Sequence, residues 1–299
     1  MRPLGFTRVH FQDPISQPDQ ALPIEPTSSV ELVQPPAPVI EPTGEPSPES
    51  ASATVDLVDV LLVSLMAVFA FFVFGGIMAA IFNHALHFQG PITTAMEEAL
   101  AKNAFFIVST EFVTYLAIVG FMVFLVWTRH RMSLSQAIQW NLPGRRLAVN
   151  ALMIGTALAV VSDIGEVVFH RWIPDSLPIT EYFKDRPSAL LLAAFGILVA
   201  PFMEELLFRG FLYPALARWT GRFISIVVTA SAFTLLHGAQ LGYSWAPLLL
   251  IFIVGVALTV TRVVARSVAT GVIVHMTYNF VLLLQTYIVT HGFRQMQGS

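Results

Sequence analysis

Residues 57–82 read LVDVLLVSLMAVFAFFVFGGIMAAIF, and Asp59 is the only charged side chain in this run. A helix needs about 20 apolar residues to cross the hydrocarbon core of a bilayer, and this run is long enough. The composition agrees, because 55% of the 299 residues are hydrophobic, 12% are charged and the mean hydropathy is +0.70. Soluble domains carry about 25% charged residues. The sequence therefore predicts an integral membrane protein.

Further apolar runs follow, and each predicts another helix across the membrane. The predicted spans are 57–82, 104–127, 148–170, 188–208, 222–240, 246–262 and 268–290. The third is weakened by Asp163 and Glu166, and the helical pattern of the fourth continues to about Trp219. The expected fold is all-α, a polytopic transmembrane helix bundle of about seven, or at most eight, spans.

Residues 1–55 differ in composition from the rest of the chain. They hold 11 of the 19 prolines and seven acidic residues, and Met1–Phe11 lacks the apolar region of a signal peptide. Such a segment buries too little apolar surface to offset the entropy of ordering. We predict a disordered, Pro-rich acidic tail that tethers the membrane domain, 56–299. A docking function is the alternative, with no motif that names a partner.

Lys and Arg in short loops predict the orientation of the chain. Loops 128–147, 209–222 and 262–267 together carry nine Lys and Arg residues, whereas the alternate loops carry four. This places the N-terminus in the cytoplasm and, with seven spans, the C-terminus outside. The expected location is the plasma membrane, or the inner membrane if the cell is bacterial.

Ionisable residues inside apolar spans are functional candidates. Glu204 and Glu205 are adjacent, and Glu205 lies four residues before Arg209, so these two can pair on one helix face. That pairing leaves Glu204 on a neighbouring face, where a carboxylate can serve as a general base. The alternative is an acid pair at the membrane surface beside a snorkelling arginine.

Two more polar clusters follow in later spans. Phe233 and His237 share a helix face, as do His275 and Asn279. The side chains of His275 and Asn279 are two donors in apolar surroundings, and such donors can stabilise an oxyanion. The alternative is that they form hydrogen bonds between helices. With Gly221 as a turn, Glu204 and His237 lie at matching depth, so the clusters can share a cavity open to the cytoplasmic side. Glu111, Asp163 and Glu166 are assigned structural or cavity-lining roles.

These three motifs together, within residues 188–285, resemble the CAAX-protease and bacteriocin-processing (CPBP) family. The motifs are Glu204-Glu205-x-x-x-Arg209, Phe233-x-x-x-His237 and His275-x-x-x-Asn279. The family includes type II CAAX prenyl endopeptidases, which are glutamate intramembrane proteases.

The resemblance implies a role for each motif residue. Glu204 would activate water with help from His237, and His275 and Asn279 would form the oxyanion site. Glu205, Arg209 and Phe233 would support them. It implies direct hydrolysis of a peptide bond near a membrane-anchored or lipidated segment.

Other chemistries fit the sequence less well. The chain has no cysteine, which excludes disulfides and a cysteine nucleophile, and no histidine is followed by glutamate, as a His-Glu-x-x-His zinc site requires. Glu204, His237 and His275 still leave a metal-dependent version of the protease open, although the expected cofactor is none. A non-enzymatic membrane partner, an immunity-type protein and a transporter remain alternatives. The expected partners are membrane lipids and a peptide or membrane-protein substrate, not nucleic acid.

Overall fold

The computed structural model describes residues 55–85, 100, 102–183 and 185–294, so the predicted tail, apart from Val55, lies outside the described residues. Every element of regular structure in the described part is helical, which confirms the all-α prediction. The helices are α1 (Leu57–Ala85), α2 (Ala104–His130), α3 (Leu134–Ala137), α4 (Arg145–Phe169), α5 (Arg186–Leu198), α6 (Ala200–Glu204), a π-helix (Glu205–Leu212), α7 (Tyr213–Leu236), α8 (Trp245–Ala265) and α9 (Val268–Val289). Two 3₁₀ turns, His170–Trp172 and Pro178–Tyr182, connect α4 to α5.

Six helical segments in the described residues are long and apolar enough to span a membrane, and the protein is an integral, multi-pass membrane protein. The predicted count was about seven. The difference arises because Arg186–Leu236 is a single run of 51 helical residues that contains the fourth and fifth predicted spans. Despite its two acidic residues, the third predicted span is also helical throughout, within Arg145–Trp172.

The long segment reverses its direction at Gly221, where φ is 75° and ψ is 176°. This conformation is open almost only to glycine. Phe208 and Phe233 are 25 residues apart in sequence, yet their ring centroids lie 5.4 Å apart. A straight helix would separate them by about 37 Å, so the two arms on either side of Gly221 run antiparallel. The prediction of a turn at Gly221 is confirmed.

The second arm, 222–236, is shorter than the span predicted for it, 222–240. At about 1.5 Å per residue its helix is about 22 Å long, against a hydrocarbon core of about 30 Å. Residues 237–244 continue as turns before α8 begins at Trp245. His237 therefore lies at the point where the helix ends rather than inside it.

Specific side chains start α5, which leads into the segment of the first motif, and α9, which carries His275 and Asn279. The carboxylate of Asp185 accepts from the backbone N–H of Ser188 at 2.9 Å at the start of α5. The hydroxyl of Ser267 accepts from the backbone N–H of Thr270 at 3.1 Å at the start of α9. These caps satisfy donors that a helix leaves unpaired, and so fix where each helix begins.

Close helix packing brings α9 against α4. A Cβ added to Gly155 on α4 would lie 2.5 Å from the carbonyl oxygen of Val274 and 2.7 Å from Cβ of Thr277. Only a glycine lets the two backbones approach this closely. The contact holds the middle of α9, including His275, against the bundle.

At the start of α1, a group of charged residues ties this helix to the end of α2. Asp59 is fully buried and bonds Arg129 and, at 2.8 Å, Nε2 of His130. Arg129 also reaches Asp56 at 3.2 Å. A buried carboxylate needs such partners, because an unpaired charge is costly to remove from water.

Candidate active site

The first motif lies where an α-helix changes into a π-helix. Pro201 stands in the first turn of α6, and the helix adopts the wider π form from Glu205 to Leu212. The N–H of Tyr213 accordingly donates to the carbonyl of Phe208, five residues earlier. Stretches of π-helix inside α-helices are rare and frequently occur at functional sites.

Glu205 and Arg209 form the predicted ion pair. Nη1 of Arg209 donates to Oε1 of Glu205 at 2.8 Å, and both side chains are 0% exposed. Arg209 also donates through Nη2 to the carbonyl of Gly255 at 3.0 Å and through Nε to the hydroxyl of Thr259 at 3.3 Å. A buried arginine with its donors occupied is fixed in position, so it holds Glu205 in place.

The second oxygen of Glu205 occupies a tight space. Oε2 is buried and has no hydrogen-bond partner among the described residues. A Cβ added to Gly271 on α9 would lie 2.7 Å from this oxygen. The glycine at position 271 is therefore what gives the carboxylate room against α9.

His275 lies between the two adjacent carboxylates. Its Nδ1 is 3.1 Å from Oε1 of Glu205, and its Nε2 is 3.6 Å from Oε2 of Glu204. The first distance is a hydrogen bond, while the second leaves room for a bridging water or a substrate atom. The side chain of Glu204 keeps 20% of its surface exposed, whereas Glu205 is sealed. As the sequence predicted, Glu205 is the carboxylate that pairs with Arg209, and Glu204 lies on a neighbouring face.

Phe233 connects the second motif with the other two. Its ring lies under the guanidinium of Arg209, 4.6 Å from ring centroid to Cζ, and 5.8 Å from the ring of His275. Such cation–π contacts are strongest when both groups are desolvated, and here both are buried. Phe233 therefore holds the three motifs together at one level of the bundle.

His237 contacts Phe233 directly, with ring centroids 4.7 Å apart and with Nδ1 2.9 Å from the Phe233 carbonyl. A carbonyl only accepts, so the proton in this contact belongs to Nδ1, and Nε2 is the ring nitrogen left for another partner. Among the described residues no hydrogen bond or ion pair joins His237 to Glu204. The contact between Phe208 and Phe233 nevertheless places Glu204, one turn before Phe208, level with His237, one turn after Phe233. This supports the predicted common depth.

Asn279 is turned toward α5 rather than toward the carboxylates. Its Nδ2 donates to the carbonyl of Gly196 at 2.7 Å. The amide nitrogen carries a second proton, which stays available to another acceptor. Gly196 directly follows Phe195, whose ring stacks on Tyr115 of α2 at 5.9 Å.

α2 contributes residues to the site that the motif pattern did not single out. Glu111 and Tyr115 are close enough to Glu204 for electrostatic interaction. They are one helical turn apart and so share a face of α2. The sequence predicted a structural or cavity-lining role for Glu111. Glu111 has no motif partner in the sequence, so nothing there indicated which helix it would face.

The described residues contain no group of three or more His, Cys, Asp or Glu side chains arranged to hold a metal ion. The direct contacts join Glu204, Glu205, Arg209, Phe233 and His275. His237 is joined through Phe233, and Asn279 lies on the same helix as His275, one turn away. The assembly is a buried polar site in a membrane helix bundle, with one sealed and one accessible carboxylate beside two histidines.

This site and fold define a polytopic helical membrane protein with a buried site of carboxylates and histidines. The family model for type II CAAX prenyl endopeptidase Rce1-like proteins matches residues 186–281, which include every motif residue. Over this third of the chain the protein is similar to that membrane protease family, which is consistent with the CPBP family. No curated protein and no solved structure matches the chain.

Proposed function

We propose that the protein is an intramembrane endopeptidase that hydrolyses a peptide bond near a membrane-anchored or lipidated segment, with a water activated by Glu204. The observation that carries this proposal is the asymmetry of the two glutamates around His275. Glu205 is sealed and bound by Arg209, whereas Glu204 is accessible and lies 3.6 Å from Nε2 of His275. The match to the Rce1-like family supports the same reaction class.

The reaction begins with a water between Glu204 and the scissile carbonyl. The Glu204 carboxylate takes a proton from this water as its oxygen attacks the carbonyl carbon. Nε2 of His237, the ring nitrogen that does not bond the Phe233 carbonyl, orients the water by accepting a hydrogen bond from its other O–H. The proton held by Glu204 then passes to the leaving amine, and the C–N bond breaks without a covalent acyl-enzyme.

The tetrahedral intermediate carries its negative charge on the former carbonyl oxygen. The donors assigned to this oxygen are Nε2–H of His275 and the second N–H of Asn279. Nδ1 of His275 is engaged with Glu205, so Nε2 is the ring nitrogen that can face the oxyanion. Donors fixed in advance in a site of low dielectric stabilise such charge strongly.

The test uses the full-length protein, purified and returned to liposomes, with fluorogenic peptides anchored by a transmembrane segment or by a lipidated cysteine. Glu204→Gln keeps the size of the side chain and removes the base, so turnover should fall by about 100-fold or more. Glu166→Gln, an exposed carboxylate on α4, is the matched control and should cleave like the wild type. Equal turnover by wild type and Glu204→Gln would contradict the proposal.

A further inference from the structure

Arg262 is a buried cation that the three motifs do not include. It lies on α8 with 5% of its surface exposed, one turn from the end of the helix. Its Nε donates to the carbonyl of Arg209 at 3.2 Å, and its Nη2 donates to Oε1 of Gln139 at 2.8 Å and to the carbonyl of Ile138 at 3.4 Å. All three acceptors are uncharged oxygens. Burying a cation with only uncharged acceptors is costly in free energy. Its position therefore requires a structural role.

The reason lies in the π-helix. Tyr213 donates to Phe208 five residues earlier, so the nitrogen that would serve the carbonyl of Arg209 in the same pattern belongs to residue 214. That residue is proline, which has no N–H to donate. A buried carbonyl without a partner is destabilising. Nε of Arg262 supplies the missing donor.

The same side chain joins the π-helix to the connection between α3 and α4. Gln139 has a positive φ of 57°, and its backbone carbonyl accepts from the N–H of Val268 at 3.3 Å. Asn141 donates through its amide to the carbonyl of Arg266 at 3.1 Å. This loop, 138–141, therefore closes over Arg262 and also fixes the start of α9, the helix of His275.

Arg262 also bears on the charge of the site. Glu204 and Glu205 are two neighbouring carboxylates, and Arg209 neutralises only one of them. Arg262 interacts electrostatically with Glu205, so it brings a second positive charge to the same buried group. A site that must hold both carboxylates ionised requires that compensation.

We infer that Arg262 is a positioning residue, which replaces the donor that Pro214 lacks and so keeps the π-helix in the form that presents Glu205 and Arg209 to His275. Its kinetic consequence rests on the proposed function, whereas its structural consequence does not. Arg262 does not touch the reacting atoms. It acts through the backbone of Arg209 and through loop 138–141.

The test compares Arg262→Gln, Arg262→Lys and the exposed Arg266→Gln control in the full-length protein in detergent. Hydrogen exchange of the backbone amides of residues 205–213 is measured together with thermal unfolding. Arg262→Gln should speed exchange in this segment by about tenfold or more while distant helices exchange as in the wild type. Arg262→Lys keeps the charge but not both donors, so its exchange should be intermediate. Arg266→Gln should behave as the wild type.

Kinetics on a cleaved peptide give the second readout. Arg262→Gln should lower kcat by about tenfold or more and change KM by less than about twofold, since the positioned groups act on the transition state. In Arg262→Gln combined with Pro214→Ala, residue 214 gains an N–H, and part of the slow exchange should return.

Unchanged exchange in residues 205–213 of Arg262→Gln would overturn the inference, whatever happens to activity. The inference would also be overturned if adding Pro214→Ala to Arg262→Gln did not slow the exchange of these amides. If Arg262→Gln does not fold, the same comparison is made between Arg262→Lys and the wild type. Absence of cleavage by the wild type would count against the proposed function only, because the exchange comparison does not need a substrate.

Discussion

Nδ1 of His275 lies 3.1 Å from Oε1 of Glu205, and that same oxygen accepts from Nη1 of Arg209 at 2.8 Å. One buried carboxylate oxygen thus holds both a histidine from α9 and an arginine from the π-helix. Glu205 is therefore the point at which two of the three motifs are joined.

Replacing Glu205 by glutamine should destabilise the protein strongly, because Arg209 then keeps a buried charge without its counter-ion. Breaking a buried pair from one side costs about 3–5 kcal/mol. The measurement is thermal unfolding in detergent. The double variant Glu205→Gln with Arg209→Met removes both charges and should regain part of the lost stability without regaining activity. A single variant as stable as the wild type would show that the pair does not hold the site.

Adding one methyl group at position 271 should disturb the same carboxylate. In Gly271→Ala the new Cβ would lie 2.7 Å from Oε2 of Glu205, so Glu205 or α9 must move. We expect a loss of kcat of about tenfold or more, because displaced groups act poorly on the transition state. Gly120→Ala on α2, where nothing lies within 4 Å of the added carbon, is the control and should retain wild-type activity. Equal activity of both variants would contradict the tight fit at Gly271.

Catalysis is predicted to be independent of a bound metal, since the mechanism assigns every step to Glu204, His237, His275 and Asn279. Turnover should be unchanged after incubation with a strong chelator and dialysis. Loss of activity that zinc restores would instead favour the metal-dependent version, with Glu204 and the two histidines as ligands.

The junction of α1 with α2 should depend on Asp59. In Asp59→Asn the charge that binds Arg129 and His130 is lost from a fully buried position, and we expect a loss of about 1–3 kcal/mol in the free energy of unfolding. Denaturation followed by tryptophan fluorescence measures it. Asp175→Asn, an exposed carboxylate, is the control and should be neutral.

The stability of this junction should also depend on pH through Asp56. Partial burial opposes the shift, but hydrogen bonds from the Asp59 N–H and from Arg129 hold the pKa of Asp56 below its ordinary value. Asp56 thus stabilises the fold above its ordinary pKa, and this stabilisation is lost as the pH falls through the lowered pKa. Removal of the side chain in Asp56→Ala should flatten the acid side of the stability profile. An unchanged profile would show that the pairing contributes nothing.

The predicted orientation can be tested directly because the chain has no cysteine. Leu142 is 80% exposed in an Arg-rich loop, and Tyr243 is 72% exposed in a loop that lacks Lys and Arg. In sealed cells Leu142→Cys should be protected from a membrane-impermeant thiol reagent, whereas Tyr243→Cys should react. The reverse pattern would place the N-terminus outside.

The helices and their pairing could be predicted because each depends on local features. Apolar runs define the spans, Gly221 defines the reversal, and the spacing of Glu205 and Arg209 defines their ion pair. The contacts of Asn279 with Gly196 and of Arg262 with Arg209 could not be predicted. Both depend on which helices become neighbours, and the contact with Arg209 also depends on a π-helix that no periodicity in the sequence indicates.

The end of the fifth predicted span differed for a similar reason. The sequence indicates where apolar residues occur, but a helix that ends at Leu236, short of its predicted end, is set by the packing of residues 237–244 against the loop around Pro178. In the sequence, Arg262 is counted among the positive charges of loop 262–267, which predict the orientation of the chain. Its burial and its role toward the π-helix became apparent only from its neighbours.

The reversal at Gly221 also sets the order in which the ribosome delivers the parts of the site. Both carboxylates, Arg209, Phe233 and His237 belong to one continuous segment, 186–237, and its two arms can meet as soon as they are inserted. His275 and Asn279 arrive only after α8 has been made. Until then the two carboxylates have no partner ring on α9, because His275 is the residue that lies between them. The order of synthesis thus leaves this polar site incomplete until α9 is in the membrane.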